Sequence, residues 1–279
     1  MLGPNYGKWW NERPIHVKLR IALIPLPIIT ILIVAVYQYN RVHIRESIRT
    51  AVEQGDLSDL HDLVSDGAPV DTRYDDGATL LHRAVELHNI QIVQLLVKES
   101  VDVNATDKRG ITPIHLAAGE GNAAITKLLI RSGADPEVES EYYGFPLHWA
   151  ANSGKIDTAT ILLDAGSSVD PNDKWGRTPF HYAIYLEHIE LAKLLLSQGA
   201  DIDEKDSKGN TLMHWASSRG WQGIAIRLID LGSDMEIQDR MGNTALHKAA
   251  RHGHLDLTKL LINPAIIYAT MKHRQSLDV

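Results

Sequence analysis

Apolar positions along this chain follow two patterns. The first is one run, Ile21 to Tyr37, of seventeen residues without a charge. The second begins near Val42 and recurs as far as Ile262. Here blocks at helical spacing, such as Ile125, Leu128, Leu129 and Ile130, alternate with glycine-containing turns. Apolar residues three and four apart predict amphipathic helices, and the glycine clusters predict breaks between them. The pattern therefore predicts one long apolar helix followed by many short paired helices, an all-α chain.

The pairs keep a strict register. His82, His115, His148, His181, His214 and His247 recur every 33 residues, in contexts such as Thr112-Pro113-Ile114-His115 and Thr178-Pro179-Phe180-His181. A fixed period of this size marks stacked supersecondary units. One unit, Asp107 to Glu139, shows the local chemistry. Asp107-Lys108-Arg109-Gly110 reads as a turn, and Gly110 can take positive φ. Thr112 is a helix N-cap, and Pro113 takes the first helical position, where its missing N–H costs nothing. His115 stands at the third helical position, so its ring can bond back to the cap as a glutamate does in a capping box. Thr79, Thr178, Thr211 and Thr244 take the same cap position in other units. Ala117 and Ala118 let a neighbouring helix approach, and Gly121 ends the first helix. Neither helix buries its apolar face alone. Stacking does so, contributing on the order of 5 kcal/mol gross per unit before chain entropy is subtracted.

These residues resemble the ankyrin repeat family. The pattern Gly-x-Thr-Pro-Leu-His-x-Ala-Ala, Gly-His, Leu-Leu-Leu, Gly-Ala-Asp recurs six times without insertions. A degenerate earlier unit has Arg49 in the histidine place. The resemblance implies a solenoid of antiparallel helix pairs joined by projecting hairpin loops, with a concave binding face. With the uncharged run read separately, the chain divides into a basic flank (1–20), a membrane helix (21–39), repeats over 41–263, and a cap and tail (264–279). The units fall at 41–73, 74–106, 107–139, 140–172, 173–205, 206–238 and 239–263. Ile266, Ile267 and Met271 are expected to cover the last unit. The departures are local. His88 and Glu187 replace the helix-ending glycine, and Leu80, Leu212 and Ala245 replace the proline. Tyr143-Gly144-Phe145 shifts the turn glycine and loses the capping threonine, so a different hairpin is expected there.

Three readings compete for Ile21–Tyr37. As a helix it spans roughly 25 Å, slightly less than a ~30 Å hydrocarbon core. Lys18 and Arg20 can snorkel at one end, while Tyr37 and Tyr39 suit the other interface. A single-pass membrane anchor fits best. A cleaved signal peptide is disfavoured, because Val34-Ala35-Val36 matches the small-residue cleavage pattern poorly. A buried core helix is disfavoured because apolar residues cover every face. No glycine or proline separates Tyr39 from Glu53, so the anchor is expected to run on into the first helix of the repeats. The N-terminal flank carries four Lys/Arg against three after the run, which weakly favours a cytoplasmic N-terminus and a repeat body on the periplasmic or other extracytoplasmic side.

Charge narrows the partners. The formal net charge of −7 resolves into +3 for residues 1–40, −11 for 41–263 and +1 for the tail. An acidic body repels phosphate backbones, which argues against nucleic acid and for a neutral or basic protein. The chain has no cysteine, hence no disulfide or thiolate metal site. Histidines 33 residues apart lie one unit apart, about 10 Å, whereas zinc ligands converge within ~2.1 Å of one ion. They read as structural caps. His188, His252 and His254 lack a carboxylate at ligand spacing. No catalytic or phosphate-binding motif is present, so no metal or cofactor is expected.

The candidate site is aromatic. Trp149, Tyr182 and Trp215 directly follow the histidine in three successive units. Tyr185 lies one helical turn beyond Tyr182. Trp175 and Arg177 share the adjacent hairpin, Tyr142 stands in the one before, and Arg219 and Arg251 fall near first-helix ends. Trp, Tyr and Arg are enriched at binding hot spots. Against this, the post-histidine place is half-buried in such stacks and suits packing, whereas Tyr142, Trp175 and Tyr185 are expected to face outward. The function expected is a membrane-tethered, non-catalytic protein-interaction module. One alternative is an envelope immunity or inhibitor protein that neutralises a basic toxin or enzyme. An enzyme is a remote alternative, since about 55 residues outside the repeats are too few for a catalytic domain.

Overall fold

The computed structural model describes residues 26–141, 144–206 and 208–263. Its first element, α1, runs unbroken from Leu26 to Gln54. The two halves of this helix have different surroundings. Ile48, Ala51 and Val52 are buried in the core, while Ile31, Ile33, Val34 and Val36 stand exposed, Ile31 by 65%. The C-terminal turns dock on the array. No helix among the described residues is long and apolar enough to cross a membrane. The uncharged run begins at Ile21, and residues 21–25 lie outside the described part, as do Trp9, Trp10, Lys18, Arg20 and the expected cap Ile266, Ile267 and Met271.

After α1 comes α2 (Leu57–Ser65), and then six antiparallel helix pairs. These are α3 (Leu80–Glu86) with α4 (Ile90–Lys98), α5 (Pro113–Glu120) with α6 (Ala123–Arg131), and α7 (Pro146–Asn152) with α8 (Ile156–Asp164). They continue with α9 (Pro179–Tyr185) and α10 (Ile189–Ser197), α11 (Leu212–Arg219) and α12 (Gln222–Asp230), and α13 (Ala245–Arg251) and α14 (Leu255–Ile262). Short helices of this kind are marginal alone and gain stability from tertiary packing. One continuous core joins them, through residues such as Ile114, Ala117, Leu147, Ala150, Phe180 and Ala183. Alanines at the first-helix contacts let α5, α7 and α9 pack closely in sequence.

The hairpins between units close through a recurring backbone bond. Asp107 N–H donates to the Ile111 carbonyl at 2.8 Å, and Asp173, Asp206 and Asp239 repeat the bond at 3.0, 2.9 and 2.9 Å. The departures from the pattern are absorbed locally. His88 and Glu187 take the left-handed conformation, with φ of 53° and 61°, that glycine adopts elsewhere. At the altered hairpin Ser140 N–H donates to the Gly144 carbonyl at 2.9 Å, and Phe145 becomes the N-cap in extended backbone. Phenylalanine has no acceptor, so one arm of that capping box is lost. The other persists, because Phe145 N–H still donates to Nδ1 of His148 at 3.2 Å.

Candidate functional site

Four of the six repeated histidines do more than cap their own helices. Thr79 N–H donates to Nδ1 of His82 at 3.1 Å, as the sequence leads one to expect. That bond leaves the ring proton on Nε2, which donates at 3.0 Å to the carbonyl of Ile111 in the following unit. The same forward bond joins His115 to Gly144 at 3.1 Å, His148 to Arg177 at 2.8 Å and His214 to Asn243 at 2.9 Å. The ring is therefore a staple across the joint between units, and it works as the neutral imidazole. Burial pushes the pKa of His115 down to about 4, and the pKa values of His82, His148 and His214 fall for the same reason.

A second staple points backward. Nε2 of His188 bonds the Asn152 carbonyl at 3.2 Å, and Nε2 of His254 bonds the Ser218 carbonyl at 3.2 Å. Each ring lies directly against a left-handed glycine of the preceding unit, Gly154 and Gly220, with no room for a Cβ there. These bonds account for two histidines that invite a metal reading. Among the described residues no three potential ligands gather at one point.

The joint between 173–205 and 206–238 has neither staple. His181 keeps its bond from Thr178 N–H, at 3.2 Å, yet its buried Nε2 has no acceptor among the described residues. Trp221 stands where His188 and His254 stand in their units, so the backward bond is absent too. The backbones of α9 and α11, and those of α10 and α12, stand further apart than those of the corresponding helices at the flanking joints. Side-chain bulk explains the gap. Trp149 rests where Gly119 leaves no space for a Cβ. One unit on, Asn152 takes the place of Gly119, and in the next unit the place belongs to Tyr185. Tyr185 instead meets Trp221 edge-to-face, with ring centres 4.8 Å apart. The opposite side of the joint stays fastened. Asp203 accepts from Ser233 Oγ at 2.6 Å and from Asp234 N–H at 2.9 Å, and Arg227 pairs with Glu187 at 3.3 Å.

A cavity of about 630 Å³ fills the gap, lined by Trp175, Arg177, His181, Tyr182, Tyr185, Lys208, Trp215 and Arg219 among others. Its rings are held by their polar ends. Tyr182 hydroxyl donates to Asp173 at 2.9 Å, and Trp215 Nε1 donates to Asp206 at 3.1 Å. Lys248 repeats the same link to Asp239 at 2.6 Å in the last unit. Burial and the neighbouring Asp173 push the Tyr182 phenol well above its ordinary range. Burial alone would raise the Asp173 carboxyl. Backbone N–H donors, Arg177 and the Tyr182 hydroxyl outweigh it and hold the group below its usual value. The guanidinium of Arg177 pairs with Asp173 at 2.8 Å and lies 4.3 Å from the Trp175 ring and 4.6 Å from Tyr182. Arg219 lies 5.2 Å from Trp215 and 4.8 Å from Trp221.

The expected site residues thus separate. Trp175, Arg177, Tyr182, Tyr185, Trp215 and Arg219 come together around one cavity. Trp149 lines a smaller one of about 310 Å³ beside Asn152, and packs edge-on to His115 at 5.7 Å. Arg251 is exposed and lies apart, and Tyr142 is outside the described residues. Trp175 faces outward as expected, 51% exposed. Tyr185 does not: it is half-buried, because the wider joint draws its ring against Trp221. The sequence reading passed over Trp221 and Lys208. Trp221 was detectable as the residue in a stapling-histidine place, whereas Lys208 emerges only from the spatial arrangement. The expectation of a basic partner, drawn from the whole-body charge, does not carry over to this face, which gathers Lys174, Arg177, Lys208 and Arg219.

A family model described as ankyrin repeats matches in three copies, at residues 48–140, 121–206 and 191–271. Comparison with curated proteins found no match. Among solved structures, the chain is similar to the ankyrin repeat domain of Bcl-3, described as a unique member of the IkappaB protein family. That match has 29% identity and a TM-score of 0.66, and it covers 75% of this chain and 97% of the other. With the family model spanning well over half of its length, this chain belongs to the ankyrin repeat family.

Proposed function

We propose that the chain is a membrane-tethered protein-interaction module without chemistry of its own. It grips a partner across the first helices and hairpins of units 140–172, 173–205 and 206–238. The observation that carries this reading is the aromatic and cationic cavity of about 630 Å³ at the open joint. Convergent Trp, Tyr and Arg are the side chains that dominate protein interfaces, and a rigid array presents them without an ordering cost. We take 41–73 as a first, degenerate unit in which Arg49 replaces the histidine. Its guanidinium donates to the Arg73 carbonyl, much as the histidines reach carbonyls further along the array.

The tether rests on the exposed apolar turns of α1 and the uncharged run that precedes them. Both features support a membrane helix that runs on into the first repeat, so the body would lie against the bilayer rather than on a flexible stalk. The repeat body is assigned to the extracytoplasmic side on the small excess of positive charge before the run. A reporter fused behind Val279 and active on one side only tests that assignment. A photoreactive residue at position 175 in intact cells tests the interaction. It should capture one protein that the same residue at position 190, on α10, does not. Equal capture from both positions, or none, would remove this reading.

A further inference from the structure

We infer that the open joint is a receptor for an acidic segment of the partner, with Arg219 and Lys208 holding its carboxylates. The inference rests on the interaction reading above and names the chemistry of what is bound. Three observations converge on it. Among the described residues the joint lacks both histidine staples, and large side chains, Tyr185 and Trp221, stand at it where other units carry small or stapling ones. His181, only 4% exposed, lines this gap, and its Nε2 has no partner among the described residues. A buried donor without an acceptor marks a site whose complement is missing.

Charge identifies the complement. The guanidinium of Arg219 is held against two indoles and donates to the Tyr185 hydroxyl at 3.4 Å, and among the described residues it meets no carboxylate. Lys208 on the facing hairpin also has no carboxylate partner among the described residues. Asp206, on the cavity wall, is already engaged by Trp215 and Asn210, and Asp173, behind it, by Arg177 and Tyr182. A planar guanidinium on an aromatic floor, open to the cavity, suits bidentate pairing with a carboxylate. Trp175 and Tyr185 supply apolar walls for the chain that carries it. Surface acidity elsewhere on the body would steer such a segment away from other faces and toward this one.

The test uses the full chain in detergent and a phage-displayed library of short random peptides. Selected peptides should be rich in Asp and Glu. Their affinity should fall about tenfold in Arg219→Gln, the loss expected for one charge-assisted pair, and less in Lys208→Gln. A variant that rebuilds the joint on the pattern of 140–172 (Tyr185→Asn, Glu187→Gly, Trp221→His) should stay folded and lose the selection. Peptides without acidic enrichment, acidic peptides bound equally by Arg219→Gln, or no selected peptide would each overturn the inference. If cellular capture at position 175 succeeds while these fail, the interaction reading stands and its acidic ligand falls. Failure of that capture removes both.

Discussion

Two joints of the same repeat show what the histidine is for. Between 107–139 and 140–172, His115 reaches the Gly144 carbonyl, and Trp149 settles over Gly119. Between 173–205 and 206–238 the same two places hold His181 and Trp215, but Tyr185 stands where the glycine was. A ring cannot settle on a ring of that size in the same space, so the helices stand apart and His181 does not find its carbonyl. Closing a joint thus depends on small residues at the end of one first helix as much as on the histidine that caps it. Where those residues are large, the array keeps its period and gains a cavity.

The largest expected effect is acidification, and it acts at the stapled and the unstapled joint alike. The folded pKa of His115 lies near 4 against an ordinary 6.5, because burial disfavours the charged ring. A lowered folded pKa means that the contribution is full above pH 6.5 and is lost as the pH falls toward 4. At pH 5 the loss is about 2 kcal/mol for His115, and as much for His181, whose pKa is also pushed to about 4 by burial. His82, His148 and His214 shift in the same direction and add to it. Urea midpoints should drop between pH 7.5 and pH 5, and a flat profile would remove the neutral-staple account.

Next in size is the paired substitution. His148→Ala deletes the forward bond to Arg177, strands the Phe145 N–H and opens a void, at a cost of about 3 kcal/mol. His181→Ala loses only the bonds within its own unit, so it should cost roughly 1 kcal/mol less. Equal losses in urea unfolding would mean that His181 is stapled after all. The rebuilt joint (Tyr185→Asn, Glu187→Gly, Trp221→His) should raise the unfolding midpoint by the equivalent of about 1 kcal/mol, by restoring contact and the backward bond. Smallest of all, Trp175→Ala should change stability by less than about 0.5 kcal/mol while weakening partner capture, since its ring is mostly exposed.

Much of this fold was legible in the sequence. Thr112-Pro113 and the glycine turns dictate helix starts and stops from local chemistry, and the 33-residue register follows by counting. The bond from each histidine back to its cap was legible for the same reason, being confined to three residues. The forward reach of Nε2 was not, because its acceptor lies 29 residues on and depends on how two units pack. At the candidate site, Tyr182 and Trp215 were placed on one line from the register alone. Their tethering to Asp173 and Asp206, nine residues earlier, needed the folded hairpin. The outward reading of Tyr185 failed because it assumed an unaltered joint. The bulk of Tyr185 itself, in the place of Gly119 and Asn152, was the local sign that the joint is altered.

Hydrogen exchange resolved along the full chain bears most directly on the open joint. In a quasi-linear array, a weak interface divides cooperativity. Amides of α11 to α14 should exchange through a common opening, faster than those of α5 to α9, with the step falling between Ser197 and Leu212. Protection that continues at one level across that boundary would contradict the account.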